Sequence, residues 1–245
     1  MKTSKYQRRF YRDWLKDKGM HILHLIAHET DIRVTANKRL DAGFIEDKIR
    51  LYRRDIEKYI SKDHRFLTAL KPIPVETNAP AIIQEMAKQA RGANVGPMAT
   101  VAGAIAQFLG ADLLRAGYKD VIIENGGDIF IKSRKTRLVG IYCGRSKLWD
   151  NLCIKIKPKD TPLGICTSSG TIGHSLSFGC ADSVVIISKS VSLADAVATA
   201  VCNRKKTKQD LSSALSFARS IKGVSGVVII LKNNLVSWGK IEFSK

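Results

Sequence analysis

The run Ala99–Ala116 (ATVAGAIAQFLGADLLRA) constrains this chain most. It reads as a helix in which Ala99, Ala102, Gly103, Ala104, Ala106, Gly110 and Ala111 are all small. Small side chains let a backbone or a ligand approach a helix closely, so this one is expected to pack tightly against a sheet, to border a ligand, or both. Strand-like runs follow it: VIIENGGDIFI from Val121, RLVGIYCG from Arg137 and NLCIKIKP from Asn151. Gly126 and Gly127 interrupt the first, where glycine marks a bulge or a close backbone approach. Other helices are expected over Leu40–Ile60, whose apolar residues Phe44, Ile45, Ile49, Tyr52, Ile56 and Ile60 keep a helical period, over Pro80–Ala90 with Asn78 as cap, and over Lys208–Ser220. Asp31–Ala36 and Ser183–Ser188 read as strands, and two more strands (GVVIIL, LVSWGKIEF) close the chain. Helices before, between and after strands define an α/β (mixed α+β) fold with sheets flanked by helices.

The 245 residues suffice for one domain with a large core. Their formal charge of +19 is unevenly spread. Residues 72–131 and 161–203 carry −2 and −1, whereas 1–71, 132–160 and 204–245 carry +8, +7 and +7. The cations lie outside the two blocks that look like chemistry, which favours solvated basic faces over a nucleic-acid surface, and a basic rim also attracts an anionic cofactor. The N-terminus is basic and aromatic without the apolar stretch of a signal peptide, and the apolar stretch Met98–Leu114 is broken by Gly103, Gln107, Gly110 and Asp112. A cytoplasmic protein without a membrane span is expected. The five cysteines never fall in CxxC spacing, so reduced thiols are expected; Cys166 is favoured as a small buried hydrophobe, and it and Cys180 are the candidates for thiol or sulfur chemistry.

The charge-poor stretch Gly164–Asn203 holds most of the candidate chemistry. Thr167, Ser168, Ser169 and Gly170 form a turn that can offer hydroxyls and backbone N–H groups to a phosphate, although neither the P-loop nor the dinucleotide fingerprint is present. Ser183–Ser188 leads into a helix over Leu193–Cys202 with Ser192 as its cap. There Asp195 and Thr199, one turn apart, would place a carboxylate and a hydroxyl on one face, two of the oxygens a magnesium ion prefers. His174 can act as a general base near neutral pH. His21, His24 and His28 would line up on a helix as metal ligands do, but no carboxylate motif accompanies them, and surface or packing roles are favoured.

The order of these motifs resembles the ApbE-like flavin transferase superfamily: VAGAIAQFLGADLLRAGY, NGGDIFI, LVGI, TSSG, a histidine, a short strand and ADAVATA. The resemblance covers residues 95–203, leaving 1–70 as a divergent N-terminal part. It implies an ApbE-like fold and magnesium-dependent transfer of FMN from FAD to a hydroxyl of a target protein. It implies Asp195 and Thr199 as metal ligands with a backbone carbonyl near Ala104 as a third. Gly126, Gly127 and Asp128 would lie beside the flavin, and Thr167, Ser168 and Gly170 would match its TSG turn. Two positions differ: Gln107 stands where the transferase has a lysine, and HSLSFG lacks the aspartate that follows the transferase's histidine. The competing expectations are an accessory protein that binds RNA or an acidic partner through its basic surface, and the thiol chemistry named above.

Overall fold

A computed structural model describes residues 19–141, 149, 151–169, 182–204 and 210–244. Strand β1 (His21–Ala27) and β2 (Thr30–Ala36) form a hairpin and are followed by helices α1 (Ala42–Lys62), α2 (Arg65–Thr68) and α3 (Ala81–Ala93). A 3-10 turn, Pro97–Thr100, leads into α4 (Val101–Arg115). Strands β3 (Val121–Asn125), β4 (Asp128–Lys132), β5 (Arg137–Gly140), β6 (Cys153–Ile156), β7 (Leu163–Ser168) and β8 (Ser183–Ser188) come next. Helices α5 (Val191–Arg204) and α6 (Asp210–Ser220) precede β9 (Val224–Leu231), β10 (Asn234–Gly239) and β11 (Phe243–Ser244).

Eight strands make one sheet in the order β1-β2-β3-β4-β7-β8-β9-β10, and β11-β6-β5 make a second. The pairs in both sheets are antiparallel. Alternation along the strands then divides the core in two. Ile32, Val34, Ile123, Phe130, Cys166, Val184 and Ile186 join the helices on one face of the large sheet. Ile131, Leu163, Ile165, Val185 and Ile187 meet Val139, Ile154 and Ile156 of the small sheet on the other.

α4 lies in the helical layer as its composition requires. The run Pro97–Arg115 is long and apolar enough to cross a membrane, but here it forms core, with Ala104, Leu109 and Leu113 wholly buried. At Gly110 a Cβ would come within 2.4 Å of the Phe130 ring. Gly110→Ala is therefore expected to destabilise the protein by about 1–3 kcal/mol through overpacking, less up to ~1 kcal/mol regained in helix propensity. Thermal unfolding checks this.

Several local expectations are corrected. The Gly126–Gly127 pair is not a bulge but the two-residue turn of the β3–β4 hairpin, with φ of 68° and 105°. Two positive φ values favour glycine at both positions. Asn78 does not cap α3: Pro80 occupies the cap, and Gln84 Nε2 donates to the carbonyls of Thr77 and Ala79. α5 begins two residues earlier than expected, so Ser192 lies inside its first turn, and the hydroxyl that receives the Leu193 amide belongs to Ser190. Thr167 and Ser168 end strand β7 rather than forming a turn. His21 and His24 sit on β1, where a spacing of three puts them on opposite faces, and His28 lies beyond the strand with φ 53°. His24 Nε2 is 2.5 Å from Asp31 Oδ1, so the three histidines share no site.

Candidate active site

The helix-facing side of β4 and β7 carries Asp128 directly opposite Cys166. Cys166 Sγ donates to the Val191 carbonyl at 3.3 Å, which fixes the start of α5 over β7. One turn along α5, Asp195 Oδ2 accepts the Gly103 amide at 2.9 Å. That amide lies in the first turn of α4, where backbone N–H groups lack helical partners and the helix dipole favours an anion. The approach is possible because residue 103 is glycine. A Cβ there would stand 2.7 Å from the Val191 oxygen and 2.8 Å from the Asp195 Cβ.

Asp195 is held well above the ordinary carboxylate range, first by burial and then by the Asp128 carboxylate, with the Gly103 amide pulling the other way. Among the described residues no cationic side chain pairs with Asp195. Its Oδ1 also has no hydrogen-bond partner there. A second carboxylate that raises the pKa of a buried acid favours its protonated form or a neighbouring cation. No three His, Cys, Asp or Glu side chains among the described residues are placed to cage a metal. A cation at Asp195 would therefore complete its shell from hydroxyls, carbonyls, water or ligand oxygens, as magnesium commonly does.

Thr199 follows Asp195 by one turn of α5 and is half-buried. Ala104 is wholly buried in α4. Its carbonyl is in position to accept the N–H four residues on, which leaves one lone pair. Gly127 closes the hairpin beside the Thr167 carbonyl, its amide donating to Glu124 Oε1 at 3.0 Å. Asn125 Nδ2 donates to the Ala102 carbonyl at 3.1 Å, tying the hairpin to the start of α4. Alternation places Ser168 on the same side of β7 as Cys166, and Thr167 on the other. Ser169 is half-buried just past the strand. The structure thus brings together Asp128, Gly127, Cys166, Gly103 and Asp195. Gly170, His174 and Cys180 lie outside the described residues.

Cys166 is fully buried, and burial, Asp128 and Asp195, in that order, push its thiol well above its ordinary value. This is the reverse of an activated nucleophile. In the folded protein Cys166 is expected to resist alkylation at pH 8 and to react only after denaturation, as mass spectrometry of the alkylated peptide would show.

Sequence reasoning missed a second network at the start of α5. Gln107 Oε1 accepts the Val191 amide at 2.7 Å and the Ser192 amide at 3.3 Å. Gln107 Nε2 donates to Glu85 Oε1 at 3.0 Å, which also accepts Ser192 Oγ at 2.8 Å and Gln89 Nε2 at 3.0 Å. Burial raises the Glu85 pKa, but the donors from Ser192, Gln107 and Gln89 outweigh it and lower the net value. The available signal was Glu85 and Gln89 at i, i+4 beside the apolar stripe of α3.

Several basic side chains are already engaged: Arg53 with Glu29 and Glu57, Arg134 with Asp120, and Lys155 and Lys157 with Glu242. A groove between the end of β1 and α1, around Ile26, His28, Arg50 and Arg53, is lined by arginines paired in the same way.

Solved flavin transferases share this architecture. The apo flavinyl transferase ApbE of Pseudomonas stutzeri aligns with a TM-score of 0.60 at 14% identity, over 89% of this chain and 93% of its own. The flavin transferase ApbE of Vibrio cholerae aligns with a TM-score of 0.58 at 13% identity, over 89% and 97%. At such identity the likeness shows the fold. By sequence, the chain belongs to the family described as AbpE bacteria, whose model matches residues 12–242. A UPF0280 protein of Methanocaldococcus jannaschii is 40% identical over 225 residues, 89% of this chain and 90% of that one. A UPF0280 protein of Methanosarcina acetivorans is 36% identical over 219 residues, 89% and 86% respectively. The chain is a divergent ApbE-like protein.

Proposed function

We propose that this protein is a magnesium-dependent flavin transferase that moves FMN from FAD to a hydroxyl of a protein target. The observation that carries the reading is the Asp195 carboxylate. Burial and the Asp128 carboxylate both disfavour its charge, it receives the Gly103 amide, and no cationic side chain among the described residues pairs with it, all in an ApbE-like fold.

In this reading Asp195 and Thr199, with the Ala104 carbonyl, hold the ion, and Asp128 adds negative charge beside it. Bound there, magnesium would offset the pyrophosphate charge of FAD and orient it. Gly126 and Gly127 let the flavin approach the hairpin backbone, and Ser168, Ser169 and Gly170 offer it hydroxyls and amides, with Thr167, whose side chain lies on the far face of β7, contributing backbone only. The target hydroxyl oxygen bonds to the FMN phosphorus as the phosphoanhydride bond to AMP breaks. His174 takes the hydroxyl proton and AMP leaves with the bond electrons, so the transfer is balanced without an external oxidant or reductant.

Incubating the purified protein with FAD and magnesium, with chromatography of the nucleotides, tests this. Magnesium-dependent binding of FAD, or release of AMP from it, is expected. Protein that neither binds nor consumes FAD would refute the reading. RNA binding that weakens steeply with salt, in the absence of any flavin effect, would instead favour an accessory protein acting through its basic surface.

A further inference from the structure

We infer that Gln107, oriented by Glu85, is a positioning residue for Asp195: it locks α5 along α4 so that the Asp195 carboxylate stays on the Gly103 amide. The inference rests on the reading of Asp195 as the magnesium ligand.

The contact between α4 and α5 is pinned at two points one turn apart on α4. At the first, Gly103 gives its amide to Asp195 and its missing side chain makes room for the Val191 carbonyl. At the second, Gln107 Oε1 receives the Val191 and Ser192 amides, capping α5 from a neighbouring helix. Val191 is thus held at both ends, its N–H by Gln107 and its carbonyl by Cys166. Asp195 lies one turn further along the same helix, so a slide or rotation of α5 on α4 disturbs both pins together.

The amide of Gln107 has one orientation that satisfies its partners. Glu85, an acceptor, must face the NH2 end, and the α5 amides, which are donors, must face the oxygen. Glu85 is in turn fixed by Ser192 and Gln89. A lysine at position 107 could reach Glu85 but could not accept the α5 amides. The glutamine therefore does work here that the lysine of the transferase motif could not do.

The inference predicts a loss of positioning rather than of chemistry. In Gln107→Leu the magnesium concentration for half-maximal FAD consumption should rise at least tenfold, with kcat at saturating magnesium within about threefold of the parent. The exchanged pair Glu85→Gln with Gln107→Glu keeps one carboxylate and one amide facing each other. It should restore the magnesium dependence to within threefold. Amide hydrogen exchange without metal reads the same claim independently of catalysis. Exchange at Gly103 and Ser192 should accelerate in Gln107→Leu and recover in the exchanged pair, while Ile229 in β9 is unchanged. Unaltered exchange at Gly103, or a lowered melting temperature with unaltered magnesium dependence, would overturn the inference. Absence of FAD consumption in the parent protein would instead refute the functional reading and leave the exchange experiment to decide the positioning claim.

Discussion

Replacing Asp195 with asparagine is expected to abolish magnesium-dependent flavin transfer and, at the same time, to stabilise the metal-free protein. The loss should be on the order of 1,000-fold, about 4 kcal/mol of barrier, because the ion's main anchoring oxygen loses its charge. The gain in stability follows from the same geometry. Burial and Asp128 both disfavour the charged form of Asp195. Asparagine presents a neutral oxygen of the same shape to the Gly103 amide. An acid whose folded pKa is raised binds its proton more tightly when folded. Its contribution is therefore fully present below the ordinary value of 3.8 and is lost as pH rises from there toward the folded value. At pH 7 Asp195→Asn should raise the melting temperature by roughly 2–4 °C for each kcal/mol relieved, and the gain should vanish near pH 3. A carboxylate with only a structural role would show the opposite sign, since its removal lowers stability. Calorimetric unfolding at the two pH values, alongside the transfer assay, checks both halves.

Gly103→Val is expected to have the second largest effect, and here stability and activity fall together. The first side-chain atom already meets the Val191 oxygen and the Asp195 Cβ inside van der Waals distance, and both belong to α5. The helices can accept a branched side chain only by parting, which costs about 1–3 kcal/mol or more and withdraws Asp195 from the Gly103 amide. Magnesium affinity should drop by at least tenfold. Gly110→Ala provides the comparison, because it overpacks the same helix against Phe130, two turns away from the carboxylate. It should lower the melting temperature while leaving the magnesium dependence within about twofold. If the two glycine variants changed magnesium dependence equally, the special role of residue 103 would be lost.

The layers were legible because they follow from local pattern. The period of Phe44, Ile45, Ile49, Tyr52 and Ile56 gave α1, and the small residues of Ala99–Ala116 required the close neighbours that α4 has in α5 and Phe130. Asp195 stood out because it is the single acid inside a charge-poor helix. What stayed hidden depends on partners far away in the chain. Nothing near Gln107 announces the α5 amides 84 and 85 positions later, and nothing near Asp128 announces Cys166 across the sheet. Ser192 reads as the cap in sequence, but α5 starts at Val191, so the Leu193 amide goes to Ser190 Oγ while Ser192 Oγ donates to Glu85. The histidines show the converse. Their spacing implies a shared face only on a helix, whereas the apolar alternation of Leu23, Leu25 and Ala27 makes that segment a strand.

The central claim is that Asp195 anchors a magnesium ion that recruits FAD to the start of α4. Flavin fluorescence during a magnesium titration, with parent protein and the Asp195→Asn variant each held at a fixed FAD concentration, tests it most directly. The parent should bind FAD with a saturable dependence on magnesium, and the variant, though folded and more stable, should show none. Equal magnesium-dependent binding by both proteins would contradict the account.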